Sequence, residues 1–533
     1  MPSRPNILLI MTDEERYHLP RPAGFSLPAR ERLAARGVSF RDFHVTTGMC
    51  SPSRSVIYTG QHVPLTEVYD NSNFPYVHDL DPSLGTIGTM LRQAGYYCSY
   101  QGKWHLSEVP PTTADPASTS DALEAYGWSE WNDWGDIDGG AWAGLTIDPV
   151  IAGQAAKWLR NRAPTVSADQ PWFLAVNFVN PHDIMSFDFG GRASVRLPPV
   201  LAHAFVTKPA AAVPVYQQQW DIELPATLHE DPGNVPPAVK EYAAGIDTLF
   251  GPVPDDAHWR AALNFYLNCL RDVDRHVEIV LDALEASGAA DRTVVVFMAD
   301  HGDMVGSHGL RQKGNFLYDE NLHVPFILSH PDLPGGGEAA SLASAIDVAP
   351  TLLTCAGLDD SAIASRYPAL HGRSLLPACE GRTVREGVLA ISEMASLLDG
   401  SFWHHFADPD VKEKLLSGEV RPDWRKRGFL RGYVDERYRF GRYFSPLAPN
   451  RPKTVEDLFE HNDVVLYDRE TDPMETTNLA TSPEHRDVVA RYNGKLESLI
   501  TAEIGDDSHV WVSERPQLLG LPTWRGDNVA VAS

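Results

Sequence analysis

Cysteine, positive charge and long apolar runs are all scarce in this chain. Its five cysteines (Cys50, Cys98, Cys269, Cys355, Cys379) are scattered through 533 residues without a CxxC pair. That excludes a disulfide framework and points to reduced thiols in an intracellular setting. Basic residues number 45 against 71 acidic ones, a net charge of −26. A surface of that sign excludes nucleic acid or an anionic membrane as the main partner. No apolar stretch reaches the roughly 18 residues that a membrane helix needs. The short run Ile7–Met11 is cut off by Asp13, Glu14, Glu15 and Arg16, which suits a buried strand and not a secretory leader. The expectation is a cytoplasmic protein.

What is present is ordinary globular material, 43% hydrophobic and 22% charged. Continuous apolar runs at Ile7–Met11, Trp172–Phe178 and Thr293–Met298 read as strands buried on both faces. Helical patterns lie between them, at Leu84–Gln93 and from about Trp259 to Ala286. The expectation for residues 1–379 is therefore an α/β domain with a large, mainly parallel sheet flanked by helices. Residues 184–256 are rich in Pro, Ala and Val without period and read as an insertion. From about residue 380 the pattern changes, with strands at Gly387–Ile391, Phe429–Val434 and Tyr438–Phe444 and a closing helix Pro483–Glu503. Residues 380–505 are expected to form a smaller antiparallel sheet with a helix. Residues 506–533 read as a tail with Trp511 and Trp524.

Chemistry gathers just beyond the strands. Asp13 follows the first one, and Asp300 with His301 follows the strand ending at Met298. Ligand sites in open α/β sheets lie outside the carboxyl ends of strands. Two acids and an imidazole there form a donor set for a divalent cation. Each aspartate taken singly is as readily a helix cap or turn former. Cys50 opens Cys50-Ser51-Pro52-Ser53-Arg54, with Pro52 suited to the first turn of a helix whose N-terminal amides favour anions. As a generic cysteine it reads as a buried, inert thiol. Lys103 and His105 follow another strand, in Gly102-Lys103-Trp104-His105. The bland reading of Lys103 is a solvated charge, and of His105 a capped or core histidine.

These motifs together resemble the sulfatase family of the alkaline phosphatase superfamily. Cys50-x-Pro52-x-Arg54 with Thr59-Gly60 matches its first signature, and Gly102-Lys103-Trp104-His105 its second. Asn6–Asp13, Ala299-Asp300-His301-Gly302-Asp303 and Leu466-Tyr467-Asp468 with Asp472-Pro473 and Asn478-Leu479 follow in the family's order. The resemblance implies an alkaline-phosphatase-like fold and conversion of Cys50 to formylglycine by a formylglycine-generating enzyme. One hydroxyl of the hydrated aldehyde attacks sulfur and expels the alcohol; the second collapses to the aldehyde and ejects sulfate. Asp13, converted Cys50, Asp300 and His301 would hold one divalent metal ion, Ca2+ or Mn2+. Arg54 would orient the nucleophile and the carboxylates, and Asp300 would accept the nucleophile's proton. Lys103 and Lys313 would bind sulfate oxygens, His105 would assist collapse of the hemiacetal, and His182 would serve the leaving oxygen.

The chain departs from many sulfatases at Glu14, which makes that residue a doubtful ligand, and at His301. Asp-His in place of Asp-Asn, together with Asn71, resembles the branch of choline sulfatases and phosphonate monoester hydrolases. Asn71 would then contact the transferred group. The expected substrate is a small anionic ester: an aryl or small alkyl sulfate, with a phosphonate monoester or phosphodiester as alternative. A silent binding protein on the same fold is the alternative from another class. Trp128, Trp131, Trp134 and Trp142 read either as a substrate wall or as packing residues. A homo-oligomer, dimer or tetramer, is expected.

Overall fold

The computed structural model describes residues 4–507 except 75–76, 110–119, 133, 194, 196–205, 232–234 and 448–450. Trp511 and Trp524 of the expected tail lie outside the described residues, as does part of the expected insertion.

Among the described residues, nine short and long strands belong to the first part of the fold. They are β1 (Asn6–Asp13), β2 (Val38–Phe40), β3 (Phe43–His44), β4 (Tyr97–Gly102), β5 (Trp172–Pro181), β6 (Thr293–Ala299), β7 (Phe326–Ser329), β8 (Gly337–Ala339) and β9 (Ala343–Ser344). Seven of them form one sheet in the order β4-β5-β1-β6-β7-β2-β8, and β3 pairs separately with β9. The run β4-β5-β1-β6 is parallel, whereas β7 pairs antiparallel with both β6 and β2. The sheet is thus mixed and mostly parallel, as an alkaline-phosphatase-like fold requires.

The burial of β1 explains why it reads as an unbroken apolar run. Ile7, Leu9 and Met11 enter one core, while Leu8 and Ile10 enter another on the opposite face, because successive side chains of a strand alternate. The second core is closed by the helices Pro28–Arg36, Ala143–Lys157 and Asp256–Ala286. The first is closed by Cys50–Thr59, Ile87–Gln93 and Val348–Cys355. Each fully buried aliphatic side chain contributes about 1.5–3 kcal/mol, so this central strand cannot shift register cheaply.

A second, four-stranded antiparallel sheet runs β10 (Val388–Ser392), β11 (Phe429–Val434), β12 (Tyr438–Phe444) and β13 (Asp463–Asp468) in that order. The helix Arg486–Glu503 packs on it through Val489, Leu496 and Ile500. Its apolar residues continue the first core of the large sheet, so the two sheets share one interior.

Several sequence expectations are corrected. The helix expected from Leu84 begins at Ile87, where Thr86 Oγ1 accepts from two backbone amides; Pro82–Leu84 is a separate 3-10 turn. The closing helix likewise begins at Arg486, after a 3-10 turn at Pro483–His485. The insertion contains a regular helix, Pro237–Phe250, with a proline in its first turn. β13, which drew notice only as a motif, is a full strand. No helix among the described residues is long and apolar enough to cross a membrane.

Candidate active site

Four parallel strands end side by side, and each delivers a charged or imidazole group at its carboxyl end. β1 ends in Asp13, β4 leads into Lys103 and His105, β5 into His182, and β6 into Asp300 and His301. The register fixes this edge: Asp13 lies opposite Pro181, Gly102 opposite Asn177, and Thr12 opposite Ala299. The helix Cys50–Thr59 points its N-terminus at the same place, with Cys50 as its first residue and Pro52 in its first turn.

Arg54 organises the centre. Its guanidinium donates to Asp300 Oδ2 at 2.8 Å, to Asp13 Oδ2 at 3.2 Å and to the Lys103 carbonyl at 2.9 Å. Lys103 Nζ adds a second cation to Asp13 Oδ2 at 2.6 Å. The outer oxygens of both aspartates are thereby spent, and the two Oδ1 atoms face inward. His301 Nε2 lies 3.5 Å from Asp13 Oδ1, 3.6 Å from Asp300 Oδ1 and 3.1 Å from Cys50 Sγ. His301 Nδ1 lies 2.9 Å from the Gly302 carbonyl, which accepts only from an Nδ1–H and so leaves the lone pair on Nε2. Asp13, Cys50, Asp300 and His301 together present four donor atoms within 4.8 Å of one another, all buried. Two carboxylate oxygens, one imidazole nitrogen and the residue-50 atom fit a divalent cation.

The electrostatics follow from burial and pairing. Burial alone would raise the Asp13 carboxyl, yet the cations beside it, Lys103 and Arg54, hold it well below the usual range. Burial, reinforced by Asp13, pushes the Cys50 thiol up to about 11. At neutral pH that side chain is a neutral thiol and a poor nucleophile. Burial first, then the neighbouring lysines, depress His105 and His182 well below the ordinary imidazole value. Both rings are 4% exposed, and neither nitrogen of His105 nor Nδ1 of His182 has a partner. They stand as neutral imidazoles with unspent hydrogen-bonding capacity. The three cations Arg54, Lys103 and Lys313 are matched by Asp13, Glu14 and Asp300, so these residues alone do not make the pocket positive.

The remaining expected residues are placed as follows. Lys313 Nζ sits 2.8 Å from Glu14 Oε2, and His182 Nε2 lies 3.8 Å from the same oxygen. Glu14 adopts a left-handed backbone, φ 72°, and its carboxylate, paired with Lys313, still lies within 4.8 Å of donor atoms of Asp13 and His182. Burial raises its carboxyl well above the ordinary value. Asn71 Oδ1 accepts from the Ser51 amide at 3.1 Å, so that oxygen caps the helix carrying Cys50. The four tryptophans do not line one wall. Trp128 packs among Tyr58, Tyr100 and Phe173 in the core, and Trp131 is buried with it. Trp134 donates to Gln154 at 2.9 Å, and Trp142 donates to the Pro209 carbonyl at 2.9 Å beneath the Lys208 ammonium.

Sequence reasoning missed the strap that holds these groups. Asp136 accepts from the amides of Trp104, His105 and Ile137 at 2.7–2.9 Å, fixing the turn in which His105 has φ 55°. The Asp138 carbonyl accepts from Lys103 Nζ at 2.9 Å. Gly139, at φ +133°, lies against the His182 ring, where a Cβ would approach Cε1 to 2.3 Å. The only signal in the sequence was a segment unusually rich in Trp and Asp.

A family model described as Sulfatase matches residues 5–358. Among curated relatives, an ulvan-active sulfatase of Formosa agariphila is 26% identical over 99% of this chain and 79% of its own length. A choline-sulfatase of Rhizobium meliloti is 28% identical over 90% of this chain and 83% of its own. The solved phosphonate monoester hydrolase of Silicibacter pomeroyi superposes with a TM-score of 0.64 at 21% identity, covering 94% of this chain and 96% of that one. With the motifs, the mixed sheet and the four-donor cluster at its carboxyl edge, the family match leads to one conclusion: this chain belongs to the sulfatase family.

Proposed function

We propose that the protein hydrolyses sulfate monoesters of aryl or small alkyl alcohols, using formylglycine formed from Cys50 by a formylglycine-generating enzyme. One observation carries this reading. The atom of residue 50 converges with Asp13 Oδ1, Asp300 Oδ1 and His301 Nε2, while Arg54 holds the two opposite carboxylate oxygens. In the metal-free protein burial keeps the thiol itself neutral and a poor nucleophile. Formylglycine supplies a geminal diol, one hydroxyl for attack and one for expelling sulfate. Asp13, Asp300, His301 and residue 50 would hold Ca2+ or Mn2+, which draws charge from the ester oxygens and favours ionisation of the nucleophile. The single imidazole makes Mn2+ as suitable as Ca2+.

The other residues take roles that their surroundings support. Arg54 orients Asp13 and Asp300 and screens their charge from an incoming anion. Lys103 and Lys313 offer ammonium groups to the ester oxygens, each held by one carboxylate. His182, neutral and anchored over Gly139, is suited to offer an N–H to the leaving oxygen. His105, neutral with both nitrogens unspent, suits proton removal during release of sulfate. The burial of this set favours a small leaving group. The choline-sulfatase relative is consistent with that, and the ulvan-active relative marks the larger alternative.

The test is a substrate panel on converted, metal-loaded protein: an aryl sulfate, choline sulfate, a sulfated saccharide and the matching aryl phosphonate ester. The expected result is the highest kcat/KM on the aryl or small alkyl sulfate. A preference for the phosphonate would replace this reading with a phosphonate monoester hydrolase. Turnover of none of them by fully converted protein would favour a silent binding protein.

A further inference from the structure

A second group of metal-ligating side chains shares no residue with the Asp13–His301 set. Asp42 precedes β3 and His44 ends it, and His323 follows the short helix Asp319–Leu322. An antiparallel bridge between His44 and His323 brings their backbones together. One donor atom each from Asp42, His44 and His323 lies within 4.8 Å of the others. Asp42 Oδ1 accepts from His44 Nε2 at 3.0 Å, and an ion taking the place of that proton, with the ring proton moved to Nδ1, would find both atoms near the spacing of about 3.3 Å between neighbouring ligands on tetrahedral zinc.

The tautomer of His323 is set from outside the group. Its Nδ1 lies 3.1 Å from Asp319 Oδ2, so Nδ1 carries the proton and Nε2 carries the lone pair. A carboxylate holding the far nitrogen of an imidazole is the usual support of a metal-bound histidine. His323 is 2% exposed, and its Nε2 has no hydrogen-bond partner; His44 is 1% exposed. A buried lone pair without a partner is costly, and a network serving only to join β3 to the second sheet would leave it unspent. Tyr17 stacks on His323 at 4.1 Å and helps to shield the ring from water. Arg469, at 3.1 Å from Asp42 Oδ1, and Arg439, paired with Asp319, orient the two carboxylates.

We propose that Asp42, His44 and His323 form a second divalent-cation site, separate from the catalytic centre and suited to Zn2+, with water in the fourth position. Two imidazoles and one carboxylate make it softer than the Asp13–His301 set, which has one imidazole. Calcium, which prefers oxygen ligands, should leave it empty. Arg439 of β12 and Arg469 beyond β13 contact its carboxylates, so the ion would brace the larger sheet against the smaller one.

The experiment uses the full chain, stripped with chelator, saturated with Ca2+ and then titrated calorimetrically with Zn2+. One equivalent of Zn2+ should bind, and His323→Gln or His44→Gln should each weaken it at least about tenfold while Ca2+ uptake is unchanged. No Zn2+ uptake by the calcium-loaded protein, or undiminished uptake by His323→Gln, overturns the proposal. Should either variant fail to fold, anomalous diffraction at the zinc edge from the unmutated protein decides. A peak within bonding distance of both His44 and His323 supports the site. A peak only at the Asp13–His301 cluster, or none, overturns it.

Discussion

Two places in this molecule are built from the same parts. In one, Arg54 holds Asp13 and Asp300 with His301 beside them; in the other, Arg385 holds Asp347 and Glu503 with His62 beside them. Both arginines are buried with their carboxylates. The difference lies in what the carboxylate oxygens are left to do. Around Arg385 every one is engaged: Asp347 takes the guanidinium with both oxygens and two backbone amides besides, and Glu503 takes Arg385 at 2.5 Å and His62 at 2.8 Å. Around Arg54, one oxygen of each aspartate turns inward toward Cys50 and His301, and that of Asp300 accepts only the Glu14 amide, at 3.1 Å. A saturated cluster braces the fold, whereas one with carboxylate lone pairs left over presents donor atoms that could hold an ion. Buried charge alone does not distinguish them.

Substitutions can break this comparison at either end. Cys50→Ala should have the largest effect, lowering turnover by at least about 10⁴-fold with the circular dichroism spectrum unchanged. His182→Ala should cost about 10²–10⁴-fold in kcat with slow-leaving alcohols, and less with activated aryl sulfates, because the latter need little help at the leaving oxygen. A Brønsted plot over leaving-group pKa checks that difference. Arg54→Lys retains the charge but cannot span both aspartates, so kcat should fall about 10–100-fold with a parallel rise in the Kd for metal measured by calorimetry. Arg385→Met should leave kcat/KM unchanged while removing about 3–5 kcal/mol of unfolding free energy in denaturant titrations, since it strands Asp347 and Glu503.

The same cluster makes the smallest and most specific prediction, one of pH. His62 and Arg385 offset the effect of burial and hold the Glu503 carboxyl down at about 2, below the ordinary glutamate value. A depressed carboxyl contributes stability that is fully present above its unfolded value and lost as pH falls through the folded one. Glu503 should therefore contribute at most about 3 kcal/mol, lost progressively between roughly pH 5 and 2. Glu503→Gln should flatten the acid limb of the stability profile in that window. An unchanged limb would assign the acid sensitivity to other carboxylates.

Legibility in the sequence followed physical cause. β1, β5 and β6 were readable because burial on both faces removes polar residues from the strand. β11 and β12 were readable to the residue because the Asp435-Glu436 turn punctuates them. β2, β7 and β8 were not, since strands of three or four residues carry too little period. The helix Pro237–Phe250 was masked by its prolines, although one of them stands in its first turn. At the site, Asp13, Cys50, Arg54, Lys103, His105, Asp300 and His301 could be singled out because strand ends and local motifs announce them. The pairing of Lys313 with Glu14, the amides gathered on Asp136 and the seat of His182 on Gly139 could not. These depend on segments brought together through space, and a single sequence does not encode that juxtaposition in any local pattern.

The central claim is that the inward-facing oxygens around Arg54 serve a converted residue 50 and not a thiol. The most direct measurement pairs mass spectrometry of the peptide containing Cys50 with turnover of an aryl sulfate, across preparations expressed with increasing amounts of formylglycine-generating enzyme. Turnover is predicted to rise in proportion to the fraction of aldehyde and to extrapolate to zero for unmodified protein. Full turnover from protein whose residue 50 is wholly thiol would contradict the account.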